Sequence, residues 1–120
     1  MKFSSALKLN HIFRRLYSTQ GAANSCLVLY ARRNHLPGNR VGITVSKKLG
    51  GAVVRNRTRR RLREVYRLNE TRFTSGWDIV VVARTRAVSA PFEKLTQAYL
   101  SLAQKAGVLL PEQPDEGAAL

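Results

Sequence analysis

The sequence predicts an α+β domain, a small sheet packed by helices. Three observations carry that reading. Short runs that alternate with period two, or are apolar throughout, are interleaved with longer runs of helical period. Turn formers fall between these runs rather than inside them. Hydrophobic residues make up 44% of 120 residues, enough for one modest core, while the chain is too short for two ordinary domains.

The elements follow in order. Leu9, Ile12, Phe13, Leu16 and Tyr17 recur at i, i+3, i+4, i+7 and i+8, one apolar stripe of a short helix. Asn10 or Ser5 is placed to cap it, and Lys8, His11, Arg14 and Arg15 form its other face. Gly21 and Asn24 mark its exit. Residues 26–31 read as a strand, and the loop NHLPGN (34–39) follows. Residues 40–46 alternate, with Val41, Ile43 and Val45 on one face, until Gly50-Gly51 breaks the pattern.

From about Ala52 a helix begins. Val54, Thr58, Leu62, Val65, Tyr66 and Phe73 gather on one side of a 100° wheel. Arg59, Arg63 and Arg67 stand opposite at i, i+4 and i+8, flanked by Arg57 and Arg60. Residues 74–77 are a turn, and the apolar run 78–83 fits a buried central strand. Ser89-Ala90-Pro91 starts a last helix with Phe92, Leu95, Tyr99, Leu102 and Ala106 as its buried stripe and Gly107 just past its end. Residues 111–120 have no periodicity and are expected to be a disordered acidic tail behind a single domain of residues 1–110. Strand, helix and strand across 40–84 make a βαβ unit, right-handed by the general rule.

Charge bounds the function. Lys and Arg number 21 against seven acids, a net +14 with a sequence pI near 11.3. No acid precedes Glu64, and Glu112, Asp115 and Glu116 lie in the last ten residues. The first 110 residues therefore carry all the cations against four acids, a net +17. Such a balance calls for a polyanionic partner. The one cysteine, Cys26, lies in an apolar run and permits no intrachain disulfide, as in a reducing compartment. No apolar run is long enough for a membrane helix, and the expected location is cytoplasmic. The N-terminus is basic and acid-free like a transit peptide, but the same residues fit the core-facing helix.

Chemistry by the protein itself finds little support. His11 and His35 have no Cys, Asp or His at ligand spacing. Glu64, Glu70, Asp78 and Glu93 are isolated, and Gly50-Gly51 is followed by Ala-Val rather than a nucleotide-loop Lys. No catalytic or metal-binding residue is expected. Binding chemistry remains. The segment VRNRTRRRLREVYR, residues 54–67, holds seven arginines and one acid. Guanidinium groups match phosphate oxygens with planar, bidentate donors and stay charged at any working pH. One Glu cannot neutralise seven arginines, so the face is read as a nucleic-acid surface rather than a solvated one. Phe13, Tyr17 and Tyr30 beside basic residues can stack unpaired bases, although an aromatic stripe at helical spacing is more often core.

The run VGITVSKKLGGAVVRNRTRRRLRE, residues 41–64, resembles the signature of the bacterial ribonuclease P protein subunit, with V-S-K-K-x-G-x-A-V-x-R-N-R matched without a gap. The resemblance extends over about residues 5–107. It implies a two-layer α/β sandwich whose βαβ crossover is left-handed, against the general rule. It also implies a protein that binds a catalytic RNA and the 5′ leader of precursor tRNA. The hydrolysis that frees the mature tRNA 5′ end would use Mg2+ held mainly by the RNA. Arg55, Asn56, Arg57, Arg59, Arg60, Arg63 and Arg67 would meet the RNA subunit. Phe13, Tyr17 and Tyr30 would line the leader cleft, with Lys47 and Lys48 beside it. Arg61, often apolar in the family, would widen the ridge. A structural RNA-binding protein of another class would share the charge but not the S-K-K…R-N-R run, and a stand-alone nuclease would need acids that the chain lacks.

Overall fold

A computed structural model describes the backbone of Ser4–Ala6 and all of residues 21–110. Five strands appear there: β1 (Ser4–Ala6), β2 (Ala22–Ala23), β3 (Leu27–Arg33), β4 (Asn39–Thr44) and β5 (Trp77–Ala83). Three helices accompany them: α1 (Ala52–Asn69), α2 (Thr85–Ser89) and α3 (Phe92–Lys105). The strands form one mixed sheet in the order β1-β4-β5-β3-β2. β4 runs parallel to β5, with α1 as the crossover between them, and β3 is antiparallel to β5. This is the α+β architecture that the periodicities predict.

Register divides the sheet into two faces. Leu29 pairs with Val81, which pairs with Ile43; one residue on, Tyr30 pairs with Val80, which pairs with Gly42. Side chains alternate along a strand, so Leu27, Leu29, Ile79, Val81 and Val41 share one face and Tyr30, Val80 and Gly42 the other. The first face meets the helices. Leu62, Val65 and Tyr66 of α1 and Leu95, Tyr99 and Leu102 of α3 join it in one buried cluster. Val80 is fully buried yet outside that cluster. Both faces of β5 are therefore covered, as its unbroken apolar run requires.

Several expectations are corrected. Ser5, read as a helix cap, lies in β1 and pairs with Arg40 of β4. Phe73, read on the α1 stripe, lies beyond the helix end; it is buried there against Tyr66, with ring centroids 4.7 Å apart. Ser89 closes the short helix α2, and α3 starts only after Pro91. Phe92, assigned to the buried stripe, is 37% exposed because it is the first residue of α3, at the rim of the core. Asp78, expected to lack a neighbouring carboxylate, has a cationic partner. Its buried carboxylate accepts from Arg40 Nε at 2.7 Å and Nη2 at 2.6 Å, and from Asn34 Nδ2 at 3.0 Å. A buried acid is tolerated when paired and hydrogen-bonded in this way. The first predicted helix and the acidic tail lie outside the described residues.

Polar side chains lock the loops onto this frame. Asn39 donates to the Tyr66 hydroxyl and the Thr74 carbonyl, and its Oδ1 accepts from the Trp77 amide. Asn24 accepts from the amides of Cys26 and Leu27 and donates to the Ala98 carbonyl, fastening the start of β3 to α3.

Candidate nucleic-acid interface

α1 begins where the backbone can turn sharply. Ser46 Oγ accepts from the Lys48 amide and opens a single 3₁₀ turn, Lys47–Leu49, that ends at Gly50. Gly50 has φ 148°, and a Cβ there would lie 2.9 Å from Val54 Cγ1. Only glycine fits both the backbone and the packing. The turn leaves Lys47 and Lys48 exposed beside the first turn of α1, which contains no acid.

The wheel then decides which arginines reach water. Thr58, Leu62, Val65 and Tyr66 are buried, so Asn56, Arg57, Arg60, Arg63 and Arg67 form the exposed crest. Arg55 and Arg59 flank the core stripe and are half-buried. Arg59 Nη1 donates to Asn56 Oδ1 at 3.0 Å, one turn back. Arg67 holds Glu64 in a two-pronged pair, Nε to Oε2 at 3.0 Å and Nη2 to Oε1. That hydrogen bond moves the Glu64 carboxyl below its ordinary range and the Arg67 guanidinium above its own. Glu64 thus engages Arg67, not Arg60 or Arg61, and the remaining crest keeps its charge.

Arg61 does not widen the ridge. It turns inward and donates to the carbonyls of Ala87, Val88 and Ala90, at the end of α2 and just beyond it. Partial burial, and then the neighbouring Arg57, lower its basicity. Cationic side chains suit helix C-termini, where the last carbonyls have no partners.

Of the residues expected on the leader side, Tyr30 separates from this surface. Tyr30 stands on the sheet face turned away from α1, in the row Tyr30–Val80–Gly42. Its ring lies against Gly21, where a Cβ would come within 2.7 Å of it. Lys47 and Lys48 sit in the 3₁₀ turn between β4 and α1. Phe13 and Tyr17 lie outside the described residues. Sequence reasoning passed over Arg40, which shares the Tyr30 face; its place out of phase with Val41 and Ile43 was the available signal. Among the described residues no group of three or more His, Cys, Asp or Glu could hold a metal ion, and no helix is long and apolar enough to cross a membrane.

A small mixed sheet carrying a helix with an exposed arginine crest defines a basic α+β domain. The model of the family Ribonuclease P matches residues 1–107. The ribonuclease P protein component of Alkaliphilus oremlandii is 40% identical over 110 residues, covering 91% of this chain and 96% of its own. That of Lachnoclostridium phytofermentans is 40% identical over 113 residues, 93% and 97% of the two chains. The Staphylococcus aureus RNase P protein structure superposes with TM-score 0.79 at 32% identity, over 88% of this chain and 97% of the other. The Thermotoga maritima RNase P protein gives 0.76 at 28% identity, over 83% and 96%. The chain belongs to the ribonuclease P protein family.

Proposed function

We propose that this chain assists removal of the 5′ leader from precursor tRNA as the protein subunit of ribonuclease P, with the phosphodiester chemistry carried by a catalytic RNA and its magnesium ions. The exposed crest of α1, left positive by a single engaged acid, carries this reading: Asn56, Arg57, Arg60, Arg63 and Arg67, with Arg55 and Arg59 at its margins, meet the RNA subunit. Arginine forks recognise phosphate oxygens bidentately, and release of counterions drives the association. Tyr30 on the far sheet face, with Phe13, Tyr17, Lys47 and Lys48, receives the single-stranded leader, where an aromatic ring stacks on unpaired bases. The site of action is the cytoplasm.

Reconstitution tests this directly. Precursor tRNA at low magnesium should be cut at the mature 5′ end by the protein and catalytic RNA together and left intact by the protein alone. Cleavage by the protein alone, or RNA-alone activity unaffected by added protein, overturns the proposal.

A further inference from the structure

Arg57, Arg60, Arg61 and Glu64 follow at i, i+3, i+4 and i+7, so their side chains share one flank of α1. Phe92, the first residue of α3, stands across from them. Between lies an open pocket of about 440 Å³ lined by these five side chains. Small-molecule pockets run at about 300–1,000 Å³.

The lining divides by chemistry. Arg61 is a fixed wall, tied to the carbonyls of Ala87, Val88 and Ala90. Glu64 is engaged by Arg67. Arg57 and Arg60 are exposed, and neither makes an ion pair among the described residues. Two uncommitted cations beside a third repel one another, and an anion between them relieves that repulsion. Phe92 adds a flat apolar surface, left 37% exposed although its sequence phase predicts core. The pocket thus offers an aromatic ring beside an anion site, the two halves of nucleotide recognition.

We propose that this pocket receives one unpaired nucleotide of the RNA subunit, its base against the Phe92 ring and its phosphate between Arg57 and Arg60. The inference rests on the reading given under Proposed function and names a new contact within it. A base inside a duplex hides both faces in the stack, so only an unpaired one can offer a face to Phe92. An acidic peptide would satisfy the arginines and leave the ring without a flat partner.

The test is assembly of the reconstituted holoenzyme, with the dissociation constant for full-length catalytic RNA measured over a salt series. Phe92→Ala should weaken binding by about five- to 150-fold, the loss of one base–aromatic stack, without changing the slope of log K on log salt. Phe92→Trp should restore the affinity. Arg57→Ala should flatten the slope by about 0.7, the value for one single-strand phosphate. A benzophenone amino acid at position 92 should photo-crosslink to one unpaired nucleotide of the catalytic RNA. Parent-like affinity in Phe92→Ala overturns the pocket, as does a loss that Trp does not restore. A crosslink to the precursor leader or to a second protein copy also overturns it, and so does the absence of any crosslink. These failures leave the broader reading standing, whereas a parent protein that does not bind the catalytic RNA removes both.

Discussion

At Arg61 the guanidinium serves the fold, while its neighbours Arg57 and Arg60 on the same flank remain free to serve a partner. Hydrogen bonds to charged groups contribute about 1.5–3 kcal/mol each, and carbonyls left without a donor cost more than the bond is worth. Arg61 is partly exposed, so the lower end applies. Arg61→Ala should therefore lower stability by roughly 1–2 kcal/mol in urea unfolding. A fully buried group, by contrast, works against the fold. The Tyr99 hydroxyl is fully buried and finds no hydrogen-bond partner among the described residues. Burial, with a smaller contribution from the Tyr66 phenol, pushes its pKa far above the ordinary value of 10.0. The unfolded chain releases this proton near pH 10 and the folded one does not, so folding loses stability as pH rises past about 10. Tyr99→Phe removes an unpartnered hydroxyl of the same shape. It should gain about 1 kcal/mol at neutral pH and flatten the decline of melting temperature above pH 10. A loss of stability at neutral pH would show that the hydroxyl has a partner.

At the level of elements, α1 presents its arginines in distinct settings, and salt titration separates them. Arg60 and Arg63 are exposed and make no ion pair among the described residues, whereas Arg67 is engaged by Glu64. Replacing Arg60 and Arg63 together by Ala should reduce the slope of log K on log salt by roughly one and a half units, about 0.7 for a single-strand phosphate and about 0.9 for a helical one. An unchanged slope would mean that this crest is solvated in the complex. The same helix shows why some elements can be read directly from the sequence. Eighteen residues with a 3.6-residue stripe at Thr58, Leu62, Val65 and Tyr66 place α1 within a residue of its predicted start. β5 announces itself by an unbroken apolar run. β1 and β2, at three and two residues, are too short to display an alternation and exist only because β4 and β3 offer them an edge. α2, five residues long, is held by Arg61 from another element, a tertiary contact that no local pattern encodes. The arginine crest was legible as charge and spacing. The inward turn of Arg61 and the exposure of Phe92 depend on where α2 and α3 pack, and so were not.

At the scale of the whole molecule, the sheet separates two surfaces. α1 covers one face through Leu62, Val65 and Tyr66 and turns its arginines outward, while Tyr30 stands on the other face in register with Val80 and Gly42. Functions on opposite sides of a rigid layer can be damaged independently, because the sites share no partners and substitutions at distant sites act additively. Tyr30→Ala should therefore weaken binding of a long-leader precursor to the assembled holoenzyme by about 1–3 kcal/mol, the worth of one stack, and leave assembly with the catalytic RNA unchanged. Gly21→Ala reaches the same ring from behind. Its added methyl would lie 2.7 Å from Tyr30, so the ring must shift although its chemistry is intact. The expected phenotype is a milder copy of Tyr30→Ala. A precursor trimmed to a nucleotide or two of leader, and mature tRNA with none, provide the comparison. Both variants should bind these two ligands as the parent does, because nothing in them reaches the far sheet face. Equal losses on all three ligands, with melting and assembly unaltered, would detach Tyr30 from the leader and place it against the tRNA body instead.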